Sequence, residues 1–469
     1  MNSISLLIRV LPAIALSSAV LIPQAYGRTE GRSEGRTLEQ RLANGLLVIV
    51  KEDRRAPTVV HQVWYRVGSM DEQVGVTGVA HALEHMMFKG TPRFGPGEFS
   101  RRITEIGGRE NAFTDRDSTV YFQQIPREGL ALAMELEADR MTHLSLSRDE
   151  FAKEIRVVRE ERRMRTEDQP RSLVEENLMA SAFFAHSYGW PVIGWMGDLQ
   201  NMTVQEARAW YRAWYSPSNA AVVIVGDVDA HRTLELARRF YGRVPARVLP
   251  ARKPLVEPPQ RGVRRVTVKA PAEEGYLLMG YKAPTVASAE RDWEPYALEV
   301  LSAVLAGHDA ARLNQILVRE QRVANAADAS YEGITRGPGM LMLEGVPAGD
   351  MARLETAMRE QIARLAAETV PPEELERAKA RVVAREVYNR DSIFRQAMEM
   401  GQFEAAGRSW QEAERVPDRL RAITAEQVKE VAARYLNDDR LTIGVLVPQA
   451  PDRDARRGSR RPSSPGELR

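Results

Sequence analysis

The chain has 469 residues, 43% of them hydrophobic and 28% charged, enough for two domains with cores of their own. Its 66 basic and 64 acidic residues leave a formal charge of +2, so no global field argues for nucleic acid or an anionic membrane as partner. Cysteine is absent, which excludes disulfides, a lipidated cysteine anchor and thiol catalysis.

The first 27 residues differ from the rest. Arg9 precedes the apolar run Leu11–Ile22, too short to span a bilayer, and Ala25 and Gly27 are small residues suited to a cleavage site. Residues 1–27 read as a secretory signal, so the mature protein is expected in the periplasm, without stable membrane insertion after cleavage. Residues 28–37, polar and glycine-bearing, read as a flexible lead-in.

Residues 38–244 are expected to form a first domain. The runs Leu46–Lys51 and Val59–Val67 have the β-branched and aromatic content of strands. Then comes Gly78-Val-Ala-His81-Ala-Leu-Glu84-His85-Met-Met-Phe-Lys-Gly90, whose apolar spacing predicts one helix with Gly90 as its stop. At about 100° per residue, His81 and His85 lie one turn apart on one face with Glu84 beside both. Two neutral imidazoles so placed can hold one zinc ion, and a neighbouring carboxylate can take a proton from water bound there. The plainer alternative is a pair of packed or solvated histidines, but only seven occur in the chain. Beyond this stretch, Pro96–Ile106 reads as a helix stopped at Gly107-Gly108 and Asn111–Gln124 as a strand or hairpin. Residues 128–142 and 148–167 read as helices, and Ala220–Val225 as a buried strand.

Residues 245–262 are rich in proline without amphipathic period and predict a semi-rigid linker. Residues 263–447 then repeat the order of elements. Strands are expected at Gly275–Tyr281, Gly339–Gly345 and Leu441–Val447, a helix at Tyr296–Leu305, and two long helices near 372–406 and 409–436. Laying Thr203-Val-Gln-Glu-Ala over Thr424-Ala-Glu-Gln-Val brings the Ala220 strand onto the Leu441 strand without a gap. At a similar shift Gly90 falls on Gly307, and His81, Glu84 and His85 fall on Leu298, Leu301 and Ser302. This echo predicts a second copy of the fold without the metal. Residues 448–469, rich in Arg, Pro and Ser, read as a disordered basic tail.

A catalytic zinc needs one more protein ligand and an open position for water. Without cysteine, that ligand is His, Asp or Glu. The helix Glu150–Arg165 offers Glu154, Glu160 and Glu161; Glu154 and Glu161 share a face two turns apart. A solvated face laced with ion pairs is the alternative for such a helix, and spacing alone does not choose among its acids.

The motif His81-x-x-Glu84-His85 is the inverted zinc signature, and its surroundings resemble the pitrilysin/insulinase peptidases, specifically two-domain bacterial members related to mitochondrial processing peptidase. The resemblance runs through GVAHALEHMMFKGT, GGRENAFTDRDSTVYF, EIRVVREERRM, HSYGWPVIG and WYSPSNAAVVIVGDV, and covers residues 38–447. It implies an α+β fold of two homologous domains, each a mostly antiparallel sheet packed with helices, closing as a clam shell around an extended peptide. It further implies Glu161 as third ligand of one zinc per chain, Glu154 as an assisting catalytic carboxylate, and Asn111-Ala112-Phe113 as the edge to which peptide substrate adds as a strand. In the second half, Arg319 stands where the family grips the substrate carbonyl, but Asn325 replaces the accompanying tyrosine and lacks a phenolic donor. That departure implies a zinc subunit working with a metal-free homologous partner; the alternatives are a lone or homodimeric peptidase in which another donor serves, and a non-catalytic assembly subunit of the same fold.

Overall fold

The computed structural model describes residues 35–450; the expected signal, most of the lead-in and nearly all of the tail lie outside the described residues. Six strands form the first sheet: β1 (Thr37–Arg41), β2 (Leu47–Glu52), β3 (Thr58–Tyr65), β4 (Arg109–Thr114), β5 (Thr119–Pro126) and β6 (Ala220–Gly226). Their spatial order is β1-β2-β6-β3-β5-β4. The second sheet has β7 (Arg264–Pro271), β8 (Tyr276–Ala283), β9 (Ala324–Tyr331), β10 (Gly339–Pro347) and β11 (Leu441–Gln449), in the order β7-β11-β8-β10-β9. Each sheet is antiparallel except for one parallel pair, β2 with β6 and β7 with β11. The architecture is α+β in two similar halves.

Because strand side chains alternate, each sheet has two faces to cover. On one face of the first sheet, Val48, Val50, Val63, Tyr65 and Tyr121 share a core with Val79, Leu83 and Met86 of the helix Val79–Met86. The opposite face, with Ile49, Val60, Trp64 and Val223, is covered by Ala397 and Met400 of the helix Ile393–Ala405, which belongs to the second half of the chain. The exchange is mutual. Val174 and Leu178 of the first-half helix Pro170–Ala182 cover Tyr276, Leu278 and Leu446 of the second sheet. The two contacts are shaped in opposite senses. Trp64 of β3 presses on Gly401, where an added Cβ would lie 2.0 Å from the indole Cε2. In the other contact the glycines are on the sheet: a Cβ on Gly444 would sit 2.7 Å from Val174, and one on Gly280 3.1 Å from Leu178.

The duplication can be followed across the registers. In the first sheet Ala220 pairs with Tyr65, Tyr65 with Thr119 and Thr119 with Thr114. In the second, Leu441 pairs with Tyr281, Tyr281 with Leu341 and Leu341 with Tyr331. Thr114 therefore corresponds to Tyr331, at the same shift that relates Gly90 to Gly307. Both glycines adopt positive φ, 86° and 90°, a conformation that L side chains resist. Thr203 and Thr424 each open a helix with a capping box.

Local expectations needed correction in two places. The region 372–436 holds four helices rather than two: Pro372–Asn389, Ile393–Ala405, Gln411–Arg421 and Ala425–Tyr435. Ser392 and Thr424 restart helices there as N-caps, accepting from the amides of Arg395 and Gln427. The helix expected to run to Gly90 is regular only to Met86, after which the chain turns.

Candidate metal centre

The helix Val79–Met86 is short and buried, so its N-terminal amides, which have no intrahelical acceptor, need partners. Glu72 supplies them: its buried carboxylate accepts from Gly78 N at 2.8 Å and Ala80 N at 2.9 Å. The helix is thereby fixed beneath β4 and β5, with His81 buried and Glu84 and His85 partly so. The two imidazoles lie edge to face, 4.8 Å between centroids.

The second contributor is the helix Arg148–Arg162, opened by Ser147, whose hydroxyl accepts from Glu150 N. Glu161 brings Oε2 to 3.7 Å from His81 Nε2 and 3.2 Å from His85 Nε2. One donor atom from each of His81, His85 and Glu161 falls within 4.8 Å of the others. Glu160, one residue away, turns outward and pairs with Arg163. Glu154 meets the far side of His85, Oε2 to Nδ1 at 3.3 Å, while its Oε1 pairs with Lys89 Nζ at 2.6 Å. That contact leaves His85 Nε2 directed at the cluster. Arg165 holds the outer oxygen of Glu161 at 2.7 Å.

Glu84 stands outside the donor triad, and Thr114 Oγ1 donates to its Oε2 at 2.6 Å. Electrostatics separate the roles. Burial, then the charge of His85, pushes the His81 imidazole down to about 4, which keeps its lone pair available. Burial raises the Glu84 carboxyl above its ordinary value. The hydrogen bond from His85 holds Glu161 below its ordinary value, so it stays an anion. Two imidazoles and one carboxylate converging without cysteine fit a borderline metal such as zinc, and Nε2 is the His81 ring nitrogen that faces Glu161.

The other expected residues are placed as follows. Asn111, Ala112 and Phe113 lie on β4, the sheet edge, which pairs only with β5 among the described residues. Alternation turns Ala112 and Thr114 toward the helix Val79–Met86, while Phe113 packs edge-on against Trp64 on the opposite face. Arg319 takes no part in the cluster. It lies on the π-helical turn Leu313–Glu320, half exposed, paired with Asp309 at 3.1 Å. Asn325 follows Ala324 at the start of β9 and donates to Glu274 at 3.1 Å. Glu72, Lys89, Thr114 and Arg165 went unread in the sequence. Of these only Thr114 carried a signal, two residues beyond Ala112 on the same strand face.

Residues 47–194 match the family model described as Insulinase (Peptidase family M16), and residues 201–382 that of the Peptidase M16 inactive domain. The chain is 34% identical over 291 residues to the zinc protease PqqE of Helicobacter pylori, a match covering 61% of this chain and 64% of that protein, slightly under two thirds of its length. It is 27% identical to the uncharacterized zinc protease YmxG of Bacillus subtilis, over 84% of this chain and 95% of that one. A protease of known structure from Helicobacter pylori superposes with a TM-score of 0.83 at 27% identity, covering 88% of this chain and 100% of its own. An M16-like peptidase from Alicyclobacillus acidocaldarius shares the fold, with a TM-score of 0.78 at 22% identity over 88% and 99% of the two chains.

Proposed function

Because the chain belongs to the insulinase family of peptidases, M16, we propose that it is a zinc-dependent endopeptidase acting on extended peptides or unfolded segments. The observation that carries this reading is the convergence of His81, His85 and Glu161 with Glu84 beside them and outside the donor set. A zinc ion held by those three would polarise a water molecule and a peptide carbonyl. Glu84 takes the proton from that water and returns it to the leaving amine. Glu154 acts through His85, fixing the ring's tautomer, so it is a positioning residue rather than a second base. The free edge of β4 at Asn111–Phe113 offers main-chain hydrogen bonds to an added peptide strand, leaving selectivity to side-chain pockets.

The same reading makes this chain the zinc subunit of a pair. Arg319 is paired with Asp309 and Asn325 offers no phenolic proton, so a metal-free homologous subunit is proposed to complete carbonyl binding. The apolar run in residues 1–27 supports export to the periplasm, and no helix among the described residues is long and apolar enough to cross a membrane. A quenched-peptide assay of the purified mature chain, alone and mixed with a metal-free homologue, tests both parts. Chelator-sensitive cleavage by the mixture only is the expected result. Full activity alone refutes the shared site, and zinc-loaded chains inert in every mixture favour an assembly role.

A further inference from the structure

We propose that Thr114 is a positioning residue for Glu84, holding one carboxylate oxygen so that the other is free for proton transfer; this deepens the peptidase reading and rests on it. The bond from Thr114 Oγ1 to Glu84 Oε2, at 2.6 Å, has the length of a hydroxyl donating to an ionised carboxylate. Among the described residues it is the sole hydrogen bond to the Glu84 side chain, so Oε1 remains unengaged. Without it the carboxylate would rotate about its terminal torsion, where minima are broad. Threonine suits this role: a β-branched residue in a strand has a stiff χ1, so the hydroxyl direction follows from the backbone.

That backbone is itself held. Thr114 ends β4 in register with Thr119, whose hydroxyl donates to Val67 O at 2.9 Å. The turn between them is closed by Asp115, accepting from the amides of Asp117 and Ser118 at 2.7 and 2.6 Å. Asp117 in turn accepts from Tyr188 and, at 2.8 Å, from the amide of Arg336, whose guanidinium reaches Asp71 at 2.9 Å. Arg336 belongs to the second half, so both halves of the chain fix the strand end that aims the hydroxyl. The internal repeat offers an independent observation. Where Glu84 is replaced by Leu301, Thr114 is replaced by Tyr331, whose hydroxyl donates to Pro284 O. Donor and acid are lost together.

Thr114→Val removes the hydroxyl and keeps the shape and strand preference; Thr114→Ser keeps the hydroxyl. In the peptide assay Thr114→Val is expected to retain zinc and KM while kcat falls about tenfold or more, and Thr114→Ser to stay within about threefold of the parent. Unchanged kcat in Thr114→Val overturns the proposal. So does a loss that serine does not rescue, which marks the residue as merely structural. A parent chain that binds zinc yet cleaves nothing, alone or mixed, defeats the peptidase reading instead. The proposal is then judged by crystal structures of the metal-free variants: Glu84 should hold to the serine hydroxyl and swing away beside valine, and an unmoved carboxylate refutes it.

Discussion

The two halves carry similar sheets, and differ at the spot where one gathers His81, His85 and Glu161 into a candidate metal triad. At the shift that lays Gly90 over Gly307, His81, Glu84 and His85 become Leu298, Leu301 and Ser302. All three replacements are buried, and Leu298 and Leu301 belong to one apolar core. Ser302 donates its hydroxyl to Ala329 O, within the sheet. A converging set of polar groups costs stability unless a ligand satisfies it, whereas apolar filling of the same space contributes packing. The first half therefore keeps an arrangement that folding alone would not favour, and the second shows the apolar filling that folding favours at the same place.

The sharpest way to break this contrast is at the acid. Glu84→Gln should leave zinc content near one per chain and lower turnover roughly a hundred- to ten-thousand-fold; retained cleavage would remove Glu84 from its role. The next largest effect tests the asymmetry directly. Leu301→Glu, burying a charge at the position that answers to Glu84 and is shut from solvent, should destabilise the chain by about 3 kcal/mol or more in urea unfolding. Glu161→Ala should change the unfolding free energy of the metal-free chain by about 1 kcal/mol or less while abolishing zinc binding. Equal stability losses would end the contrast. The exchanged helices give a third probe. Gly401→Ala forces a methyl group against Trp64 and should cost about 2–3 kcal/mol, while Gly197→Ala, where a Cβ meets nothing within 4 Å, should be nearly silent.

The smallest effect is a pH dependence on the same exchanged helix. Burial, then the charge of Glu386, pushes the Glu399 carboxyl from its ordinary value near 4.5 up to about 7. The folded chain thus holds this proton more tightly than the unfolded one, so stability is lost as pH rises from about 4.5 through 7. Glu399→Gln should raise stability at pH 8 by about 1–2 kcal/mol and leave it nearly unchanged at pH 4; a flat difference between those pH values would count against the assignment.

The sequence was legible where period and chemistry coincide. The helix bearing His81 and His85, the buried strands at Val59 and Ala220, and the repeat at Thr203 and Thr424 all announce themselves. Three of the four edges were not: β1, β7 and β9 are short on apolar side chains, and charged or small residues along an edge read as loop. Glu161 stood among equal neighbours because helical spacing names a face, and not a partner as far along the chain as His85. Lys89 and Arg165, which brace the cluster, lie in stretches where charge usually means solvent. The covering of each sheet by the other half's helix left no local trace either, since amphipathicity shows that a helix has an apolar face and not which sheet receives it.

That crossed covering bears on what each half owes the other. Each repeat alone would expose a broad oily surface, with Trp64 on one and Leu278 on the other. Cut apart, neither repeat would keep a closed surface. The half with the candidate triad borrows its roof from the half without one.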